Sequence, residues 1–217
     1  MDLSVLDTLR ETFSLPSLLV LCALAGLSIL AVAVSVYKWL QFMRLGVGKR
    51  RKAEQILDFW LTGNPNLALQ MAGERKSVLA RVLIAVFSGL RAQPNAKEYA
   101  EELGRQTAVI ELAAMTDRMR TLEMVVQSAP MLGLLGTVIG MIEAFSSLAG
   151  IEGGAVDPTI LAGGIYTALS TTAVGLSIAI IAFFVQNMIE ARIERERNLI
   201  DTVISAAIHG RFDPNSS

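Results

Sequence analysis

The chain has 217 residues, 53% of them apolar and 18% charged, with a net charge of −1 and a mean hydropathy of +0.50. Soluble domains run at about 45–50% apolar and about 25% charged, so the composition argues against an ordinary soluble enzyme and against a nucleic-acid partner. A single cysteine, Cys22, rules out a disulfide within the chain.

The apolar residues fall in long runs. Leu18–Tyr37, Met124–Ile142 and Pro158–Ile189 carry no charge. About 20 apolar residues cross the hydrocarbon core of a bilayer. The sequence therefore predicts an all-α membrane protein with three transmembrane helices and long cytoplasmic helical extensions. In chain order the expected segments are an outer amphipathic segment (1–16), a first span (17–40), a cytoplasmic helical region (41–123), a second span (124–148), a short outer loop (149–159), a third span (160–189) and a cytoplasmic helix and tail (190–217). Asp2, Asp7 and Glu11 precede the first span against one Arg10, which is the wrong charge for a signal peptide. Pro16 sits where a helix can begin. Lys38 and Trp39 suit the inner interface, one by snorkelling and one by its amphipathic ring.

Arg44, Lys49, Arg50, Arg51 and Lys52 follow the first span, and Arg192, Arg195 and Arg197 follow the third. The loop between spans two and three has Glu152 and Asp157 and no basic residue. The positive-inside rule then places the N-terminus outside and the C-terminus in the cytoplasm. Within the cytoplasmic region, breaks are expected at Asn64-Pro65-Asn66 and Gln93-Pro94-Asn95, with Asn95 and Glu98 resembling a capping box. Ser77–Leu90 is apolar but only 14 residues long and interrupted by Arg81, which suits a buried or interfacial helix better than a fourth span. From Ala96 the pattern runs on with no strong breaker before Pro130, predicting one long helix that enters the membrane. The third run, at 1.5 Å per residue, would be about 48 Å long, so its early part lies near the outer surface.

Two constellations carry the chemistry. In the second span Gly133, Gly136, Gly140 and Ala144 share one helix face, a smooth surface that lets a neighbouring helix approach closely. In the third, Gly164, Ala168, Thr172, Gly175 and Ala179 do the same. Thr137 and Thr172 lie on or beside these faces, where hydroxyls can order water or strip part of the shell of a small cation. Ser170, Thr171 and Ser177 are expected to bond back to their own helix. Pro130 should kink the second span near its inner end. Glu143, toward the outer end, is an interfacial carboxylate or a point of ion access. Neither span has a central carboxylate or lysine, although a cation pathway usually needs a charged site at depth. His209 stands alone, and the sequence has no metal-ligand cluster, phosphate loop or nucleophile–base arrangement. No catalytic residue, metal or cofactor is expected.

Ala129-Pro130-x-Leu132-Gly133-Leu134-Leu135-Gly136-Thr137-Val138-x-Gly140, followed by Ala168-Leu169-x-Thr171-Thr172-Ala173-x-Gly175-Leu176, resembles the MotA/TolQ/ExbB proton-channel family, and most closely its ExbB/TolQ branch. The resemblance implies a pentameric ring of this subunit in the bacterial inner membrane, around two copies of a single-span ExbD/TolR-like partner whose transmembrane aspartate carries the ion. It implies that Thr137 and Thr172 face the pore, and that Gly133, Gly136, Gly140 and Gly175 pack the helices. A TonB/TolA-like protein would receive the work, in biopolymer transport or envelope maintenance. One departure is Thr167, which stands where ExbB and TolQ commonly carry a glutamate. With Thr171 and Thr172 it gives a hydroxyl-rich ion pathway resembling sodium-driven stators, so sodium stands beside the proton as the transported ion. The competing readings are a flagellar or gliding-type stator subunit, which usually has four spans, and a membrane scaffold without ion flow.

Overall fold

Pro16, whose ring fixes φ and whose missing N–H is least needed in a first turn, stands at the start of α1, Leu15–Leu45. The computed structural model describes residues 15–46, 48, 50–74, 77–149 and 158–210, and every regular element among them is an α-helix. After α1 come α2 (Arg50–Leu61), α3 (Pro65–Gly73), α4 (Val78–Ala92), α5 (Lys97–Thr116), α6 (Met119–Ala149) and α7 (Pro158–His209). Three stretches are long and apolar enough to cross a membrane: α1, the apolar part of the α5–α6 stretch, and α7. The chain is a multi-pass membrane protein. The outer segment expected before residue 15, most of the loop at 149–159 and the tail beyond 210 lie outside the described residues.

The chain divides into two compact units. One takes residues up to 35 together with 118–186; the other takes 36–117 together with residues from 187 onward. In the first unit, Val20 and Leu24 of α1 pack with Ala129 of α6 and Ala179 of α7. In the second, the core is built from larger side chains. Ile56 and Leu57 of α2, Leu83 and Phe87 of α4, and Ile200 of α7 are almost wholly buried. The Phe87 ring stacks on Trp60 of α2, with centroids 4.0 Å apart and planes 6° from parallel.

The helix boundaries follow local chemistry. Pro65 opens α3 behind Asn64, as a residue without N–H should. The Ser77 hydroxyl accepts the Ala80 N–H and caps α4. That helix is amphipathic and buried in its own unit, with Val78, Leu79, Val82, Leu83, Val86 and Phe87 inside. It is too short to cross a bilayer.

Three expectations are corrected. Asn95 does not cap α5. The Ala96 N–H donates to the Gln93 carbonyl, and Ala96 becomes the N-cap, without a side-chain bond. The turn after Pro94 thus shifts the helix start by one residue and takes Asn95 out of capping register. The long helix leading into the second span is also interrupted, between Thr116 and Met119. Asp117 is extended (φ −49, ψ 140) and Arg118 is left-handed (φ 62), which costs a non-glycine residue about 1–2 kcal/mol. The carbonyls released at this break are satisfied from α1. Lys38 Nζ donates to Met115 O at 2.7 Å, and Gln41 Nε2 donates to Ala114 O at 2.9 Å. A cation at a helix C-terminus also meets the negative end of the dipole. Lys38 is therefore not snorkelling; it is fully buried, while Trp39 is exposed.

Each unit buries a stripe of α7. In the first unit, Ala168, Thr171, Gly175, Ala179 and Ala182 are buried at three- and four-residue steps. In the second unit, Ile189, Glu196, Ile200, Val203 and Ala207 share one face of the helix and are also buried. The buried residues of α7 are small in the first unit and mostly larger in the second.

Candidate functional site: the glycine seam of α6 and α7

The first unit brings the two smooth faces together, as their spacing predicts. A β-carbon at Gly133 would lie 3.0 Å from Thr172 Cα and 3.2 Å from Thr171 O. One at Gly140 would lie 2.9 Å from Ala168 Cβ, and one at Gly164 would lie 2.5 Å from Ala144 Cβ. At Gly175 it would be 2.5 Å from Ala129 O and 3.1 Å from Gly133 Cα. These neighbours are largely backbone, which has no room to yield. Close approach of this kind is how helices associate in lipid, where burial of apolar surface gives no driving force between them.

The hydroxyls divide into two groups. Thr172 Oγ1 reaches across the seam and donates to Gly133 O at 2.8 Å. Thr171 is wholly buried. Its side chain fills the niche left by Gly136, where an added β-carbon would overlap its hydroxyl. It donates to Ala168 O at 2.7 Å, and Gly133 O lies 3.5 Å away. One carbonyl of α6 is thus flanked by both threonines. Thr137 behaves differently. Its hydroxyl donates to Leu134 O on its own helix at 2.6 Å. Its side chain lines a shallow apolar groove of about 640 Å³ with Val138, Met141, Ile142, Phe145 and Ser146. No hydrogen bond among the described residues joins Thr137 to Thr172. Thr167 is half-buried on α7, one helical turn before Thr171. Ser170 and Ser177 donate to Tyr166 O and Ala173 O, each at 2.8 Å.

Glu143 is anchored by α1: Ser17 Oγ donates to Glu143 Oε2 at 3.2 Å, and Ser17 itself is buried. Pro130 lies inside α6, which stays helical through it, and the neighbouring Ala129 carbonyl is the group that meets Gly175. A seam of this kind can offer hydroxyl lone pairs and carbonyls to a proton or small cation. From Met124 to Ile142 and from Pro158 to Ile189 it offers no ionisable acid of its own.

Sequence reasoning missed that two ionisable groups are buried in the second unit. Besides Lys38, Glu196 is buried, and its Oε2 accepts the Gly48 N–H at 2.9 Å. Burial raises its pKa above the ordinary value, and the Gly48 bond opposes that shift. The only available hint was its place at the three- and four-residue spacing of the α7 stripe. Among the described residues no group of His, Cys, Asp and Glu could hold a metal ion. His209 is exposed, with Nδ1 3.2 Å from Ser205 O.

Comparison with known proteins agrees with this geometry. An ExbB homolog of Methanothermobacter thermautotrophicus, described as a biopolymer transport protein, is 32% identical over 136 residues, covering 63% of this chain and 46% of that protein. The chain thus spans about half the length of that relative. An ExbB-like protein of Synechocystis is 26% identical over 178 residues, covering 82% of this chain and 83% of its own length. The Vibrio cholerae biopolymer transport protein exbB1 is 45% identical over 62 residues, or 29% of this chain and 27% of that one. The model of the MotA/TolQ/ExbB proton channel family matches residues 74–202, a stretch that contains the whole glycine seam, and the chain belongs to that family, on the side of its ExbB-named relatives.

Proposed function

We propose that this chain is the ion-conducting subunit of an energy-transducing complex in a bacterial inner membrane. It couples inward flow of protons, with sodium as the alternative ion, to mechanical work on envelope proteins. The observation that carries the reading is the pairing of a hydroxyl-bearing glycine seam with charge-free spans. Thr171 and Thr172 crowd one carbonyl of α6, and neither apolar run has a carboxylate to carry the ion. A single-span ExbD/TolR-like partner with a transmembrane aspartate would supply it. Thr137, with its hydroxyl at the edge of an open apolar groove, is where such a partner helix would be received. Glu143, near the outer end, would serve ion access. Copies of this chain, five by family resemblance, would surround the partner, with N-termini outside and C-termini in the cytoplasm. Each charge crossing the membrane releases about 2.3 kcal/mol per 100 mV. A TonB/TolA-like protein would receive the work.

A second reading, a non-conducting scaffold, is favoured by one feature: the Thr137, Ser170 and Ser177 hydroxyls are all used on their own helices. Co-reconstitution with the partner in vesicles separates the two. The expected result is dissipation of an imposed gradient by the wild-type complex, and its loss when the partner's aspartate is replaced by Asn. Equal leakage with Asp and Asn would overturn the conducting reading. Thr172→Val should cut the flux at least about ten-fold, and undiminished flux would remove Thr172 from the pathway.

A further inference from the structure

The second unit contains a cavity of about 400 Å³ formed by α1, α4 and α5, within the size range of about 300–1,000 Å³ typical of ligand sites. Its polar lining includes Arg44 and Gln41 from α1, Arg81 from α4 and Glu111 from α5; Leu40 and Ile110 are among its apolar walls. Arg81 Nη2 pairs with Glu111 Oε2 at 2.7 Å. That pair leaves Arg81 Nε buried with no hydrogen-bond partner, a donor whose desolvation is uncompensated. Two guanidiniums against one carboxylate leave the cavity with one net positive charge. Tyr37, another lining residue, is the last residue of the charge-free run of α1. The cavity therefore begins at the level where that helix leaves the hydrocarbon.

We propose that this cavity binds the phosphate of an anionic phospholipid between Arg44 and Arg81, with the glycerol and upper acyl chain against Leu40 and Ile110. A guanidinium matches a phosphate oxygen pair in geometry and charge. Basic pockets between helices at the cytoplasmic interface are the expected form of such a site. A phosphatidylglycerol headgroup carries a single negative charge, which the net +1 complements. A phosphatidylcholine headgroup would place a third cation beside the two guanidiniums. The proposal rests on the reading of α1 as a span whose C-terminal end meets the cytoplasmic leaflet. It does not require ion conduction.

The test uses the full-length protein in nanodiscs made from equal amounts of phosphatidylglycerol and phosphatidylcholine, followed by native mass spectrometry of the lipid retained. Wild-type protein should retain phosphatidylglycerol over phosphatidylcholine by at least about five-fold. Arg44→Gln should bring that ratio close to one. Arg120→Gln, an exposed charge on α6, should leave it unchanged. Arg81→Lys keeps the charge and the Glu111 pairing but loses the fork, and should give an intermediate ratio even if Arg81→Gln fails to fold. An unchanged preference in Arg44→Gln would overturn the proposal. So would equal loss in Arg120→Gln, which would mean general surface attraction. Displacement of the lipid by millimolar inorganic phosphate would also overturn it, by showing a free-anion site. The discs present the same lipids on both faces, so the result does not depend on orientation. Labelling of cysteines introduced at either end of α1 in intact cells reads the orientation separately.

Discussion

The two units use opposite packing strategies, and the difference follows from the solvent each is built for. In the first, α6 and α7 meet through Gly133, Gly136, Gly140, Ala168 and Gly175, and what touches is backbone. In the second, Phe87, Leu83, Ile56, Leu57 and Ile200 fill the interior. Burying apolar area in water contributes roughly 25 cal/mol per Å², so large side chains repay their ordering there. In lipid that gain vanishes, and close van der Waals approach with a few hydroxyl-to-carbonyl bonds takes its place. It follows that the first unit should be harmed by added atoms and the second by removed ones.

The largest test is Gly175→Leu. With a β-carbon already 2.5 Å from Ala129 O, the expected outcome is loss of the folded first unit. It would be seen as aggregation in detergent and a collapsed thermal transition by circular dichroism. Gly26→Leu, at a position with nothing within 4 Å, should leave the transition in place. If both variants behave alike, the seam does not hold this unit. Phe87→Ala comes next. Removing a wholly buried ring stacked on Trp60 should cost about 3–5 kcal/mol. Both tryptophans, Trp39 and Trp60, lie in the second unit, so the loss should appear in tryptophan fluorescence before the remaining helicity melts. Coincident loss of both signals would merge the two units into one cooperative body.

The smallest effect is at Glu196. Its folded pKa is raised from 4.5 by burial, so the native state favours the protonated form. Its contribution is fully present below pH 4.5 and is lost as pH rises through the folded value. Glu196→Gln keeps an oxygen for the Gly48 N–H and removes the charge. Its melting temperature should match wild type below pH 4.5 and exceed it modestly at pH 7. A variant that melts lower at pH 7 would show that the ionised carboxylate is favoured inside.

The seam was legible because its signal is periodic. Glycines and alanines three and four apart can share one face only on a helix, and Gly133, Gly136, Gly140, Gly164 and Gly175 all sit in the contact as their spacing requires. The distribution of work among the hydroxyls was less legible. Thr171 and Thr172 are adjacent in sequence and differ by about 100° on the helix. Which of them enters the Gly136 niche depends on the rotation of α7: the spacing put Thr172 on the smooth face, but Thr171 fills the niche and Thr172 reaches Gly133 O from beside it. The interruption at Asp117–Arg118 was invisible because neither residue is a helix breaker. It is held in place by Lys38 and Gln41, some 75 residues away in sequence. Lys38 itself read as a snorkelling interface residue because position near a span end cannot distinguish a side chain reaching for water from one reaching for a carbonyl.

Within the second unit the buried face of α7 keeps a single register from Ile189 to Ala207. The length of this helix is therefore constrained as a reading frame is. An insertion or deletion of one residue between Ile189 and Glu196 would turn every later position by about 100° relative to Ile189, moving Ile200 and Val203 off the face it buries. Seven residues, two turns with only about 20° of drift, could be gained or lost at far smaller cost. Length variation among related chains in this stretch should come in such steps.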